Sequence, residues 1–199
     1  EILIGLVGSE MCIRDSSYGE AFEDEFCDRL FNIRGAVAMS NTGADTNESA
    51  FFINQKTAET YKNEGGWEHL ASQWDSIKTQ LANYKDSNLL TAFIEKNGTN
   101  CYDTDSVPDS VKKLYEENGG NAYLDGAYNA VDRGYTVFAQ VIDGMDVVDK
   151  IASAKVDKDD IPVKNIVIKS IKITQYKEEP TTQADSTSAE SVTQPTTVG

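Results

Sequence analysis

Apolar and polar residues alternate along this chain in two ways, which predict strands in some segments and helices in others. Short apolar runs bounded by Asn, Thr, Gly and Asp predict strands at residues 36–39, 50–53 and 136–142. A helix is predicted over 145–152, where apolar residues share one face. A last strand is predicted over 163–173, and its apolar positions change phase midway. Such a slip is typical of a bulge in a sheet that curls into a barrel.

The middle of the chain, residues 56–122, has the periodicity of helices instead. Its longest apolar stripe recurs at three- and four-residue steps and consists of Trp67, Leu70, Trp74, Ile77, Leu81 and Tyr84. The pattern continues over 89–96, and Asp109 is predicted to cap a third, short helix that ends at Gly119 and Gly120. Helices clustered between predicted strands indicate an insertion into a β-rich domain.

Composition and charge exclude several classes of protein. The chain has 199 residues, 39% of them hydrophobic, which is enough for one domain with a real core. With 18 basic and 33 acidic residues the net charge is −15, which disfavours nucleic acid and anionic membranes as partners. No apolar run approaches the roughly 18 residues needed to span a bilayer. We expect a water-soluble, acidic monomer.

Two further features concern redox chemistry and the end of the chain. The three cysteines, Cys12, Cys27 and Cys101, form no CxxC pair, and His69 is the only histidine, so a structural zinc site of the usual spacing is excluded. Residues 177–199 are rich in Thr and Ser and contain no aromatic residue, which predicts a disordered tail. Such tails favour a secreted or surface protein over a cytoplasmic one, although a ragged end explains this tail equally well.

The segment with the most chemical information runs from Arg34 to Gln55 and reads RGAVAMSNTGADTNESAFFINQ. Its pattern is strand, polar loop, strand. Two adjacent Phe side chains beside a loop rich in Asn and Thr place an apolar floor next to many backbone donors and acceptors, as in a peptide-binding groove. A plain hairpin with one buried Phe has the same pattern.

This segment resembles the signature of cyclophilin-type peptidyl-prolyl cis-trans isomerases, roughly G-x-L-S-M-A-N-x-G-x-N-T-N-G-S-Q-F-F-I. Further matches follow the order of the family. Residues 22–26 (FEDEF) resemble its F-x-D-E element, and residues 123–126 (YLDG), 135–138 (YTVF) and 144–148 (GMDVV) resemble its W-L-D-G, H-V-V-F and G-M-x-V-V elements. The resemblance covers about residues 18–55 and 123–175.

The resemblance implies a mainly β fold with helices, namely a closed antiparallel barrel of eight strands, incomplete here at the N-terminus and carrying the helical insertion. It divides the chain into a cyclophilin-like domain at 17–176, with 56–122 as the insertion, and flanking segments at 1–16 and 177–199. The implied reaction is rotation about X–Pro bonds in peptides or unfolded proteins, which assists folding and needs no cofactor or metal. The enzyme has only to bind the twisted amide more tightly than the planar forms.

The resemblance also implies the residues of the groove. Met39 and Phe52 correspond to the floor of the proline pocket and Leu124 to its wall. Nine positions correspond to substrate-binding positions of the family: Met39, Ser40, Asn41, Thr42, Ala50, Phe52, Tyr123, Leu124 and Tyr135. Tyr135 stands in the place of a His, and Tyr123 in that of a Trp.

Two departures from the family pattern bear on catalysis. Ala50 replaces a Gln that orients the substrate, and the F-H-R element that supplies the catalytic Arg is absent, so no catalytic residue is identified. Arg14 lacks the context for that role. Either residues 1–16 are foreign and replace the true start, or a divergent domain begins here. The first account predicts negligible isomerase activity for the chain as written.

Three functional hypotheses therefore stay open: an isomerase, a module that binds proline-containing peptides without turnover, and an extracellular β-domain with no groove activity.

Overall fold

The computed structural model describes residues 19–85 and 87–172. The predicted foreign segment 1–16, the predicted tail 177–199, Cys12 and the last residue of the predicted strand 163–173 lie outside the described residues. All other predictions about secondary structure fall within them.

Three strands form one antiparallel sheet in the described part of the chain. They are β1 (Ala36–Met39), β2 (Phe51–Ile53) and β3 (Val137–Gln140), in the order β2-β1-β3. All three were predicted from their apolar runs. The central strand β1 is buried along its whole length, as a strand covered on both faces must be.

The expected eight-stranded barrel is not what the described residues form, because they supply three strands and these do not close on themselves. The strand predicted at 163–173 is also wrong for residues 163–172, which have no strand structure. A strand is stabilised by hydrogen bonds to a neighbouring strand, and no described residues form such a ladder with this segment. Its apolar side chains are consequently exposed, with Val167 at 69% and Ile171 at 64%.

Five α-helices complete the described part. Four lie between β2 and β3: α1 (Ala58–Asn63), α2 (Gly66–Tyr84), α3 (Leu90–Asn97) and α4 (Asp109–Asn118). The fifth, α5 (Met145–Ala152), has the predicted bounds. Short 3₁₀ turns occupy Gly98–Asn100, Ala122–Leu124 and Gly126–Tyr128. None of the helices within the described ranges combines the length and apolar character needed to cross a bilayer.

The predicted capping role of Asp109 is wrong by one position. Pro108, in an extended conformation, precedes α4, and Asp109 is the first helical residue, with no side-chain capping bond. Its charge in the first turn still interacts favourably with the helix dipole. At α1, Thr57 does act as a cap, because its Oγ1 accepts the Thr60 N–H at 3.1 Å.

The core has separate centres under the sheet and under the helices. Val37, Ile53 and Val148 join one face of the sheet to α5. The helices pack around an aromatic cluster that contains Tyr61, Leu70, Tyr102, Val107, Val111, Tyr115 and Ala122. A smaller cluster of Trp74, Phe93 and Cys101 lies between α2 and α3. The predicted stripe of α2 therefore provides core contacts in two places.

Candidate functional site

The aromatic rings of Phe52 and Tyr135 form the centre of the candidate groove. Their centroids are 5.4 Å apart and the ring planes are almost perpendicular, at 84°. Such edge-to-face pairs are stabilised by the quadrupoles of the two rings. The backbone N–H of Tyr135 donates to the carbonyl of Leu124 at 2.9 Å. Three residues that the sequence places far apart are thus brought together.

Met39 lies on the other face of the sheet from Phe52. In the register of β1 and β2, Met39 faces Phe51, while Phe52 faces Ala38. Directly paired residues share a face and successive residues alternate, so Met39 shares a face with Phe51 and Val37. Phe51 packs on the cluster beneath the sheet. The expectation that Met39 and Phe52 form one pocket floor is therefore not met, since the two are one residue out of phase.

The loop after β1 is held in place by its own polar groups. Ser40 N–H donates to the Ala50 carbonyl at 2.8 Å, and Thr42 N–H donates to Thr46 Oγ1 at 2.9 Å. The Asn41 side chain donates to the Gly134 carbonyl at 2.9 Å. Because Gly134 precedes Tyr135, this bond fixes the loop against the wall that holds the Tyr135 ring.

Tyr123, expected in the groove, packs instead against the aromatic cluster of the helices. It also lines a cleft of about 340 Å³ between α1, α2 and residues 120–123, whose wall includes Tyr61, Glu64, His69, Gln73, Asn121 and Tyr123. Among the described residues, no aromatic ring contact joins Tyr123 to Phe52 or Tyr135. The ring thus faces the helices.

A buried carboxylate next to the groove was not found by sequence reasoning. Asp125 follows Leu124 and is only 3% exposed. Its Oδ1 accepts from the Asn32 N–H at 2.8 Å and from Asn32 Nδ2 at 3.0 Å, and its Oδ2 accepts from Tyr115 Oη at 2.5 Å. Burial raises the pKa of Asp125 to about 7, although the three donors favour the charged form. The pKa of Tyr115 is likewise raised, chiefly by burial.

The hydrogen bonds continue from Asp125 into the sheet. Asn54 Nδ2 donates to Asn32 Oδ1 at 3.0 Å, and Asn121 Nδ2 donates to Asn54 Oδ1 at 3.0 Å. Asn54 follows β2, Tyr115 lies in α4 and Asp125 borders the groove, so this Asp125 network joins the helices to the groove wall. The sequence signal that could have indicated this network is Asp125 itself, because it belongs to the YLDG element and follows Leu124, which was assigned to the groove.

Comparisons with known proteins identify the family of the chain. The sequence model of the family described as cyclophilin type peptidyl-prolyl cis-trans isomerase/CLD matches residues 8–71 and 118–173. These two segments make up more than half of the chain and contain Phe52, Leu124 and Tyr135. The chain belongs to the cyclophilin-type peptidyl-prolyl cis-trans isomerase family.

Individual relatives are bacterial. A protein of Staphylococcus saprophyticus named "Putative peptidyl-prolyl cis-trans isomerase" is 34% identical over 161 residues, which cover 81% of this chain and 60% of the relative. One of Staphylococcus haemolyticus with the same name is 31% identical, covering 80% of this chain and 59% of the relative. A "Putative bifunctional phosphatase/peptidyl-prolyl cis-trans isomerase" of Streptococcus pyogenes serotype M6 is 31% identical, and the match covers 79% of this chain and 25% of that protein. The chain thus spans about 60% of the length of the staphylococcal relatives.

Proposed function

We propose that this protein catalyses cis-trans isomerisation of X–Pro bonds in peptides and unfolded proteins. The observation that carries the proposal is the Phe52–Tyr135 pair with the Leu124 backbone beside it, formed by residues that lie within the segments matching the family. An apolar wall of this kind suits a prolyl ring. Rotation about the amide needs no covalent step, so a groove that fits the twisted bond lowers the barrier.

The groove proper, in this proposal, consists of Phe52, Leu124, Tyr135 and the loop residues Ser40, Asn41 and Thr42, with Ala50 beneath the loop. The loop is joined to the Tyr135 wall by the bond between Asn41 and Gly134. A peptide lying along the loop would place its proline against Phe52. Met39 supports the sheet from the opposite face, and Tyr123 belongs to the helical side.

The test measures the exchange rate between cis and trans isomers of an X–Pro peptide by NMR, with the full chain added. Acceleration that Phe52→Ala reduces at least about tenfold is the expected result, because the substitution removes the floor that holds the proline. Phe138→Ala is the matched control, since Phe138 lies in β3 and is 47% exposed. Equal acceleration by the wild type and Phe52→Ala would contradict the proposal.

A second function is favoured by one sequence observation, namely Ala50 in place of the family Gln, because a methyl group donates no hydrogen bond to the substrate. An electrostatic donor aimed at the transition state is typically worth about 10²–10³ in rate. A groove without one binds proline-containing peptides and releases them unchanged. Phe52-dependent binding of the peptide with no change in its exchange rate would identify this binding module.

We further propose that residues 56–122 are an insertion into a barrel that these three strands form in part. The family model passes over residues 72–117, which include most of α2, all of α3 and most of α4. The Asp125 network and the aromatic cluster would then attach the insertion to the family domain.

A further inference from the structure

A loop between Asn129 and Arg133 connects the helices to the candidate groove. Asn129 Nδ2 donates to the Gly98 carbonyl at 2.7 Å, and the Ala130 N–H donates to the Cys101 carbonyl at 2.8 Å. Val131 packs on the cluster of Trp74, Phe93 and Cys101. The end of α3 therefore fixes this loop, and two residues after Arg133 the chain reaches Tyr135.

The Arg133 side chain lies between Gly98, which follows helix α3, and Gly43, which follows the groove loop. A methyl group at position 98 would lie 2.9 Å from Arg133 Cγ, and one at position 43 would lie 3.1 Å from Nη1. The stem of Arg133 thus crosses Gly98, and its guanidinium reaches Gly43, which follows the groove loop 40–42. Side chains at either position would crowd this path.

The guanidinium of Arg133 has no anionic partner in the described part of the chain. Among residues 19–85 and 87–172, no hydrogen bond or ion pair joins Arg133 to another residue, although the whole chain carries 33 acidic groups. Asp132, which precedes Arg133 in the chain, is exposed and forms no ion pair with it. Asp24 and Asp45 accept each other's backbone N–H at 2.9 Å. A partly buried guanidinium with five donors is therefore available to a ligand in the groove.

We propose that Arg133 is a specificity-determining residue that binds an acidic side chain of the substrate close to its proline. The proposal rests on the proposed function and names its preferred substrates: acidic X–Pro peptides. Guanidinium and carboxylate form charge-assisted, often bidentate hydrogen bonds. Ion pairs at partly exposed positions are weak, so we expect a moderate preference of about two- to fivefold. The helices contribute by holding the loop that carries Arg133.

The experiment measures the binding and the isomer exchange of X–Pro peptides that differ only in one residue next to the X–Pro pair, which is Glu, Gln or Lys. One set of three peptides carries this residue before the pair, and a second set carries it after the pair. The full chain is compared with Arg133→Gln, Arg133→Lys and Lys150→Gln. Lys150 is the matched control, because it lies on α5, is largely exposed and loses the same charge. Circular dichroism confirms that each variant folds.

We expect the wild type and Lys150→Gln to prefer the Glu peptide over the Lys peptide, and Arg133→Gln to lose that preference. Arg133→Lys should retain part of it, and added salt should weaken it in every variant that shows it. Equal binding of all three peptides in both sets by the wild type, or an unchanged preference in Arg133→Gln, would overturn the inference and leave the proposed function intact. If no peptide binds or is turned over, the proposed function itself fails, and the inference fails with it.

Discussion

The hydroxyl of Tyr115 is the group whose removal tests the Asp125 network most directly. Tyr115 is fully buried, and its Oη donates to Asp125 Oδ2 at 2.5 Å. The change Tyr115→Phe deletes that one bond and keeps the ring, which contacts Tyr61, Trp67 and Phe31. The perturbation is therefore a single missing donor beside a buried carboxylate.

The size of the effect follows from the charge of the acceptor. A hydrogen bond to a charged group contributes about 1.5–3 kcal/mol to stability, against about 0.5–1.5 kcal/mol for a neutral pair. Above about pH 8 most Asp125 carboxyls are ionised, since their pKa is about 7. We expect Tyr115→Phe to lower the free energy of unfolding by about 1.5–3 kcal/mol there, or the melting temperature by roughly 3–12 °C, and by less near pH 5.

Tyr61 supplies the matched control within the same cluster. Its ring lies 6.1 Å from that of Tyr115, and it is also buried, at 4% exposure, but its Oη has no partner among the described residues. Removing an unpaired buried hydroxyl should cost almost nothing or stabilise the fold. Urea unfolding of both variants at the two pH values, followed by circular dichroism, provides the measurement. If Tyr115→Phe lowers the free energy of unfolding at high pH by no more than Tyr61→Phe does, the reasoning is refuted.

Two further predictions concern the same region. In the fold Asp125 keeps its proton up to about pH 7, whereas in the unfolded chain it ionises near its ordinary pKa, so the folded state binds more protons between about pH 4 and 7. The contribution of Asp125 to the free energy of unfolding should therefore fall as the pH rises through that window, by up to about 1.4 kcal/mol per pH unit. Asp125→Asn should remove this part of the pH dependence when the free energy of unfolding is measured by urea titration. The same pH dependence in the variant and the wild type would contradict the raised pKa. Gly120→Ala should destabilise the fold by at least about 2 kcal/mol, because φ is +108° and the new methyl would lie 2.3 Å from the Asn32 carbonyl oxygen. Gly19→Ala, with φ of +109° and nothing within 4 Å, is its control in the same thermal melts, and an equal loss in both would show that the contact at Gly120 does not matter.

Local sequence pattern determined most of the secondary structure. The runs that became β1, β2 and β3 are apolar and bounded by turn residues, and α5 has the bounds its pattern predicts. Helices α2, α3 and α4 also followed from periodicity, because their apolar residues recur at three- and four-residue steps. Such patterns act over a few residues and so can be read locally. The resemblance to the family came from the sequence as well, through motifs of fixed order.

Only the tertiary structure decided which of these residues meet. Met39 and Phe52 were assigned to one pocket, but the register of β1 against β2 places them on opposite faces, and a register depends on pairing between strands. The segment 163–172 has the pattern of a strand without the ladder that makes one. The Asp125 network joins Asn32, Tyr115 and Asp125 across up to 93 residues of chain. No local periodicity encodes a contact of that separation, because it exists only once the helices have packed against the groove wall.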